Sequence, residues 1–496
     1  MKKLIFRLTL LYLVICLGVS GLASCSPKEG KVSESSEKED LGTVEEGSKY
    51  DANGYLLDDL PETDEFKGET VKVFTWKHQA YADWGEKNDT VTTVSRALVK
   101  RDNAVMERFG VDFSIKTSEA TGEYSSMNDF IKELEVISSA GDKTYHIVGQ
   151  YTLAASIGVD RGLYKELLNT DIPYLDLSKP WWLQSLTSSS KIGENMYFLT
   201  GDLSYTTIKN VNAIYVNKTM YNNLGLSQLS IAEGRSIYEI VKDGDWTFEM
   251  ISTMANAAYN TDQANMRIGF EINGTPYYDD LFHGAGFRLV ENSEDGLSMH
   301  SDLTSERLAT WNEMIRTFVK SDAVLIGASN SGNFYQGKSL FFTGGLGTMA
   351  TATMRDVAFD YAVVPQFKYD SAQPEYISNA NFYVTLYTIP VQTPDVALSG
   401  LILEALGSQS HRQMVPTIYY DAYRVEYSPT ADDSIMFDYV CDGLQFDTGR
   451  VYTQINAASI FRMSVIQDLA WTTYYKGVQE DLEIACEELF MIWGQG

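Results

Sequence analysis

Residues 69–117 read ETVKVFTWKHQAYADWGEKNDTVTTVSRALVKRDNAVMERFGVDFSIKT, and this stretch decides the fold class. Its first eight residues, ETVKVFTW, are a short β-branched and aromatic run of the kind that fits a strand. TVSRALVKRDNAVMERFG (93–110) carries its apolar residues at helical spacing and closes on a glycine, and VDFSIKT (111–117) is a second strand pattern. Downstream, MNDFIKELEVISSAG (127–141) reads as a helix with a glycine stop and YHIVGQ (145–150) as a third, buried strand. Strands alternating with helices predict an α/β fold with a mainly parallel sheet and helices on its faces.

In open sheets of this kind ligands sit beyond the carboxyl ends of the strands. That rule singles out Trp76 to Tyr81, which include His78, and the pair Gln150 and Tyr151.

After residue 200 the pattern restarts. NAIYVNKTMYNNLGL (212–226) is a strand running into a short helix, and GDWTFEMISTMANAAYN (244–260) opens with Asp245 in the position of a helix N-cap. The helix SERLATWNEMIRTFVKS (305–321), strands around KSLFFTG and FDYAVVP, and a long helical end from about Ser464 to Met491 follow. Roughly 430 residues of body, rich in Tyr and Trp, exceed what one core organises and imply two domains. There is no internal repeat of 20 to 50 residues.

The N-terminus has a different composition. MKKLIFR places three positive charges before the apolar run LTLLYLVICLGV, the layout of a secretory signal, and the run is shorter than the ~20 residues of a spanning helix. Leu22-Ala23-Ser24-Cys25 resembles the lipobox of bacterial lipoproteins. The resemblance implies removal of residues 1–24, lipid on the thiol of Cys25, and attachment to the outer face of the cell membrane. The alternative is an ordinary secreted protein in which Cys25 is incidental. Residues 25–65 are mostly Ser, Glu, Lys, Asp and Gly, too poor in large apolar side chains to offset their ordering entropy, and are expected to form a disordered tether.

Loss of Lys2, Lys3 and Arg7 with the signal takes the net charge from −28 to −31. So acidic a chain lacks the basic face that nucleic acid requires and does not dock its body on anionic lipid. Only Cys441 and Cys486 remain for the folded part. Two cysteines do not make the usual four-ligand zinc site, no metal or cofactor is expected, and whether the two pair is left open.

The order of three further motifs is specific. FYQGKSLFFTGGLGTMATATMRD (334–356), FDYAVVPQFKYD (359–370) and NFYVTLYTIPVQTPDVALSGLILEAL (381–406) together resemble the central run of the extracellular solute-binding proteins of family 1. These are the substrate receptors of bacterial ABC importers for sugars and related solutes. GDLSYTTIKNVNAIYVNKTMYNNLGL (201–226) resembles their first crossover, and the likeness extends over residues 66–496.

The resemblance implies a two-lobed type II periplasmic-binding-protein fold. Lobe 1 would hold residues 66–202 and 381–416, and lobe 2 residues 203–380 and 417–496. Crossovers would lie near Gly201 to Tyr205, Ser378 to Tyr383 and Thr417 to Tyr423. It also implies a carbohydrate ligand, a monomeric receptor, permease subunits as partners and no enzymatic activity. The chain is longer than compact members of the family, and its loop TGGLGT lacks the Trp that related sugar binders often place there.

A sugar presents apolar C–H faces and an equator of hydroxyls, so its receptor needs aromatic platforms and planar hydrogen-bonding side chains. The platforms expected are Trp76, Trp84, Tyr151, Trp181, Trp182 and Phe342. Trp311, at apolar spacing with Leu308 and Ile315, is assigned to the core. Polar contacts are expected from Gln150, Asp202 and Arg462, with Asp83, His78 and Tyr81 beside them, and Gly344 and Gly345 would let backbone amides approach a ligand. No HExxH or GxSxG pattern is present. Two competing readings are a surface glycoside hydrolase working through paired carboxylates and a surface adhesion or scaffold lipoprotein.

Overall fold

The computed structural model describes residues 48–494 apart from 88–91, 122–123, 142, 169–170, 263–264, 294–295, 328–331, 420 and 423–429. The signal segment 1–24, Cys25, the tether up to residue 47 and Tyr423 lie outside the described residues.

The chain folds as a two-lobed α/β structure whose strands fall into two main sheets and a hairpin. In chain order they are β1 (Thr70–Thr75), β2 (Asp112–Thr117), β3 (Ile147–Tyr151), β4 (Asn212–Asn217), β5 (Ile268–Ile272), β6 (Val290–Ser293), β7 (Gly296–Met299), β8 (Val324–Ile326), β9 (Ser339–Gly345), β10 (Tyr361–Val364) and β11 (Thr385–Thr388). The first sheet has the order β11-β3-β1-β2; β1 is parallel to both β2 and β3, and β11 runs antiparallel on β3. The second has the order β10-β4-β9-β5-β8, with β4 antiparallel to both neighbours. Strands β6 and β7 form the hairpin.

Helix Thr93–Phe109 shows how the sequence sets the first sheet. Thr92 and Ser95 form a reciprocal capping box at its start, and Gly110 ends it with φ 64°, a left-handed value that a glycine adopts without strain. The helix buries Ala97, Leu98, Val105 and Phe109 between its caps. In the second sheet the central strands β4 and β9 are buried at every position, with the apolar runs AIYV and LFF at their centres. Trp311 sits at 0% exposure in the core, donating its indole N–H to the Leu281 carbonyl at 3.0 Å.

Three local expectations are corrected. Thr247, not Asp245, caps helix Phe248–Ala258; Asp245 instead accepts from Arg235 at 2.6 Å. The C-terminal end is three helices, Ile460–Ile466, Trp471–Lys476 and Gln479–Trp493, because Asp468 takes a left-handed φ of 56° after the first and Gly477 follows the second. The expected tether is shorter than residues 25–65, since residues 48–65 pack against the body. Asp58 accepts Arg108 Nη1 on both carboxylate oxygens (2.9 and 3.0 Å), the Ser408 hydroxyl (2.7 Å) and Arg412 (3.3 Å), while Leu60 is buried and Lys179 pairs with Asp59.

Two connections join the sheets side by side. Asn212 N–H donates to the Asn379 carbonyl (2.8 Å) and Asn381 N–H to the Asn210 carbonyl (3.0 Å), so the segments 210–212 and 379–381 form a short antiparallel bridge. Cys441 and Cys486 are both free. Among the described residues no helix is long and apolar enough to cross a membrane.

Candidate functional site

A cleft of about 750 Å³ opens above that bridge. One wall is His78, Gln79 and Tyr81, which follow the carboxyl end of β1. The other carries Tyr277, beyond β5, and Gly345, Gly347 and Thr348, at and after the end of β9. Asn210, Asn381 and Tyr383 of the crossovers also line it. The strand-end rule therefore locates the cleft from both sheets at once.

His78, Tyr81 and Gly345 are the sequence candidates that line this cleft. Trp76 lies behind it, fully buried, with its indole N–H on Thr385 Oγ1 at 3.1 Å. Its ring stacks at 6.2 Å on Tyr383 and packs 6.0 Å from His78, while Tyr151 touches both Trp76 and Tyr383. Trp76 and Tyr151 thus back the cleft wall and do not line it.

The remaining candidates are placed elsewhere, each for a physical reason. Asp83 is buried and accepts from Ser204 Oγ (2.9 Å), the Thr206 amide (3.2 Å) and the Tyr387 hydroxyl (3.0 Å), tying the chain after β1 to the first crossover. Burial raises its pKa, against those donors. Trp84, Trp181 and Trp182 fill the core of the first lobe at 0–1% exposure. Trp182 also donates to Glu404 at 3.2 Å.

Gln150 is buried and accepts the Tyr164 hydroxyl. Asp202 pairs with His411 at 2.7 Å, and burial raises its pKa while the imidazole pulls it down. Phe342 stacks on Phe334 at 5.3 Å inside the second lobe. Gly344 lies in β9 opposite Ala213, where an added Cβ would meet Tyr215 and Thr348 at 3.1 Å. Arg462 donates to Asp279 at 2.9 Å, beside Arg450 at 3.0 Å.

Sequence reasoning missed Lys209, Tyr277, Thr348, Arg355, Asn381 and Tyr383, and held Gln79 only within the span Trp76 to Tyr81. Applying the strand-end rule to β5 and β9 as well as to β1 and β3 would have found Tyr277 and Thr348. Nothing local marks Lys209, which ends the short helix Tyr205–Lys209 and crosses to the opposite wall. Its ammonium donates to Gln79 Oε1 and Tyr81 Oη, both at 2.8 Å, and lies 4.7 Å from the centre of the Tyr81 ring.

The cleft thus offers amides, hydroxyls, aromatic edges and cations. None of its described lining residues is Asp or Glu, so the pair of carboxylates that glycoside hydrolysis requires is not found there. Among the described residues no cluster of three or more His, Cys, Asp or Glu is arranged to hold a metal.

Below the bridge, buried Asp280 accepts from Asn212 (2.9 Å) and Asn379 (3.1 Å), one amide from each crossover. Burial, opposed by those two amides and Arg450, raises its pKa to about 7 from 3.8. The folded state therefore holds this proton where the unfolded chain has lost it. Its contribution is most favourable below about pH 4, declines as the pH climbs to about 7 and is flat above. Asp280→Asn keeps the accepting oxygen and abolishes the titration. The variant's stability relative to the parent should rise between pH 5 and pH 8, at up to about 1.4 kcal/mol per pH unit. Urea unfolding of both proteins at the two pH values measures this, and an unchanged difference would contradict it.

No protein-family model matches the sequence, and no curated protein does. Solved structures do share the fold. The GacH receptor of Streptomyces glaucescens, studied unliganded and with acarbose, aligns with a TM-score of 0.55 at 12% identity over 85% of this chain and 99% of its own. A cyclic α-maltosyl-1,6-maltose binding protein from Arthrobacter globiformis gives 0.57 at 12% identity over 85% and 100%. UgpB from Mycobacterium tuberculosis, in complex with glycerophosphocholine, gives 0.53 at 14% identity over 84% and 99%. At these identities the likeness establishes the two-lobed periplasmic-binding-protein fold.

Proposed function

We propose that this chain is an extracytoplasmic receptor that captures a sugar or oligosaccharide between its lobes and delivers it unchanged to the permease of an ABC importer. The observation that carries this reading is the cleft itself. It is walled by strand ends of two sheets, lies over paired crossovers, and carries aromatic rings beside amides and hydroxyls. The lobes are assigned as residues 66–202 with 381–416 and 203–380 with 417–496. They rotate about the crossovers, and ligand favours the closed form only by its differential affinity for it. The receptor acts as a monomer without cofactor, anchored to the outer face of the bacterial cell membrane by lipid on Cys25 after removal of residues 1–24.

The fold shared with sugar receptors and the lack of a described carboxylate pair in the cleft both favour binding over hydrolysis. Incubation with a panel of oligosaccharides should give saturable binding and return each sugar intact. The bound sugar should stabilise the protein by ~2.7 kcal/mol at 100 times its dissociation constant. New reducing ends would make the chain a hydrolase, and neither binding nor ligand-induced compaction by small-angle scattering would leave the adhesion reading. Radiolabelled palmitate should enter the parent and not Cys25→Ala; equal labelling would refute the anchor.

A further inference from the structure

We infer that the saccharide taken by this cleft is anionic, bearing a carboxylate, sulfate or phosphate group that Lys209 and Arg355 recognise. The inference rests on the receptor reading and adds the chemical class of the ligand to it.

The argument begins with charge. Across the chain Asp and Glu outnumber Lys and Arg by 67 to 39, so a cavity wall drawn from it should carry more acids than bases. The cleft reverses this: Lys87, Lys209 and Arg355 line it, and no acidic side chain does among the described residues. A cleft walled by one sign of charge focuses its field on whatever enters, and here that field favours an anion.

The partners of these cations sharpen the point. Lys87 has Glu86 beside it at 3.4 Å. Among the described residues Lys209 is met only by the neutral oxygens of Gln79 and Tyr81, and the exposed guanidinium of Arg355 has no hydrogen bond or ion pair. Several other arginines meet carboxylates, Arg101 at Asp102, Arg108 at Asp58, Arg235 at Asp245, Arg316 at Asp468, and Arg450 and Arg462 at Asp279, while Arg96, Arg267 and Arg307 bond hydroxyl or carbonyl oxygens. A lysine held by neutral groups and an unpaired arginine, on one cavity, are groups kept for a charge that comes from outside.

The chemistry of each fits such a ligand. The planar fork of Arg355 suits two oxygens of one carboxylate, sulfate or phosphate, while Lys209 supplies a compact charge that exchanges bonds to two neutral acceptors for an ion pair. His78, Tyr81 and Tyr383 remain to meet the sugar ring.

Calorimetric titration of the full mature chain tests this against three pairs: digalacturonate and digalactose, a sulfated chondroitin disaccharide and its unsulfated form, and glucose 6-phosphate and glucose. One charged member should bind at least tenfold more tightly than its neutral counterpart, and which pair does so identifies the acidic group. That preference should weaken with added salt and shrink at least tenfold in Lys209→Met and in Arg355→Met, both judged folded by circular dichroism. Equal or tighter binding of the neutral member, or variants that weaken both members alike, would overturn the anionic assignment and leave the sugar receptor standing. Failure of all six compounds to bind would overturn the receptor reading together with it.

Discussion

Replacing Arg101 by Leu is expected to destabilise the chain by about 3–5 kcal/mol, the range for breaking a buried ion pair from one side. The guanidinium is 1% exposed and donates to three oxygens at once, with Met414 Sδ 3.7 Å from one Nη. Its Nε reaches Asp102 Oδ1 at 2.8 Å, one Nη reaches the Asp83 carbonyl at 2.6 Å, and the other reaches the Leu203 carbonyl. Leucine fills part of the space and leaves the Asp102 carboxylate buried, where burial already pushes its pKa up against the pull of Arg101. It also strands the Leu203 carbonyl at the first crossover. Arg101→Lys should recover only part of the loss, because an ammonium does not span the same three acceptors. Equilibrium urea unfolding decides the matter, and a loss below ~1 kcal/mol would show that the cluster relaxes around the vacancy.

The second large effect is expected at Asp279. This carboxylate is 3% exposed and receives Arg450 at 3.0 Å and Arg462 at 2.9 Å, while Arg450 also donates to the Ala380 carbonyl at 3.2 Å. Burial raises the Asp279 pKa, and the two guanidinium groups oppose it. Asp279→Ala leaves two cations facing each other without their anion, for a loss of about 3–5 kcal/mol. Arg462→Leu should lose less than half as much, since Arg450 still covers the carboxylate. Thermal or urea unfolding of the two variants gives the comparison, and equal losses would contradict it. Because Arg450 grips Ala380 within the bridge, Asp279→Ala should also speed hydrogen exchange at residues 210–212 and 379–381.

The alternation of strand and helix was legible because each element carries its own periodicity within a few residues. ETVKVFTW and VDFSIKT contain β1 and β2, YHIVGQ holds all of β3 but Tyr151, and the glycine that ends helix Thr93–Phe109 is visible in the sequence. The cleft was not legible in the same way. Its walls come from segments over a hundred residues apart, and Lys209 acquires its place only when the crossover sets it opposite Gln79 and Tyr81.

Trp181 and Trp182 show the opposite error. Two large aromatics in a loop must find a partner to leave water, and the sequence does not say whether that partner is a ligand or the protein. Here it is the protein: helix Val396–Gln409 presents Gly407, where even a Cβ would sit 2.5 Å from the Trp181 ring. Asp202 and Arg462 were chosen as free hydrogen-bonding groups, and their partners His411 and Asp279 are 209 and 183 residues away in the chain. Such pairings carry no local signature.

The strap at residues 48–65 has a mechanical consequence. Its grips, Arg108, Lys179, Ser408 and Arg412, all belong to the half built on the first sheet. A pull applied to the chain at residue 48 would therefore load that half first. The half built on the second sheet carries none of these grips.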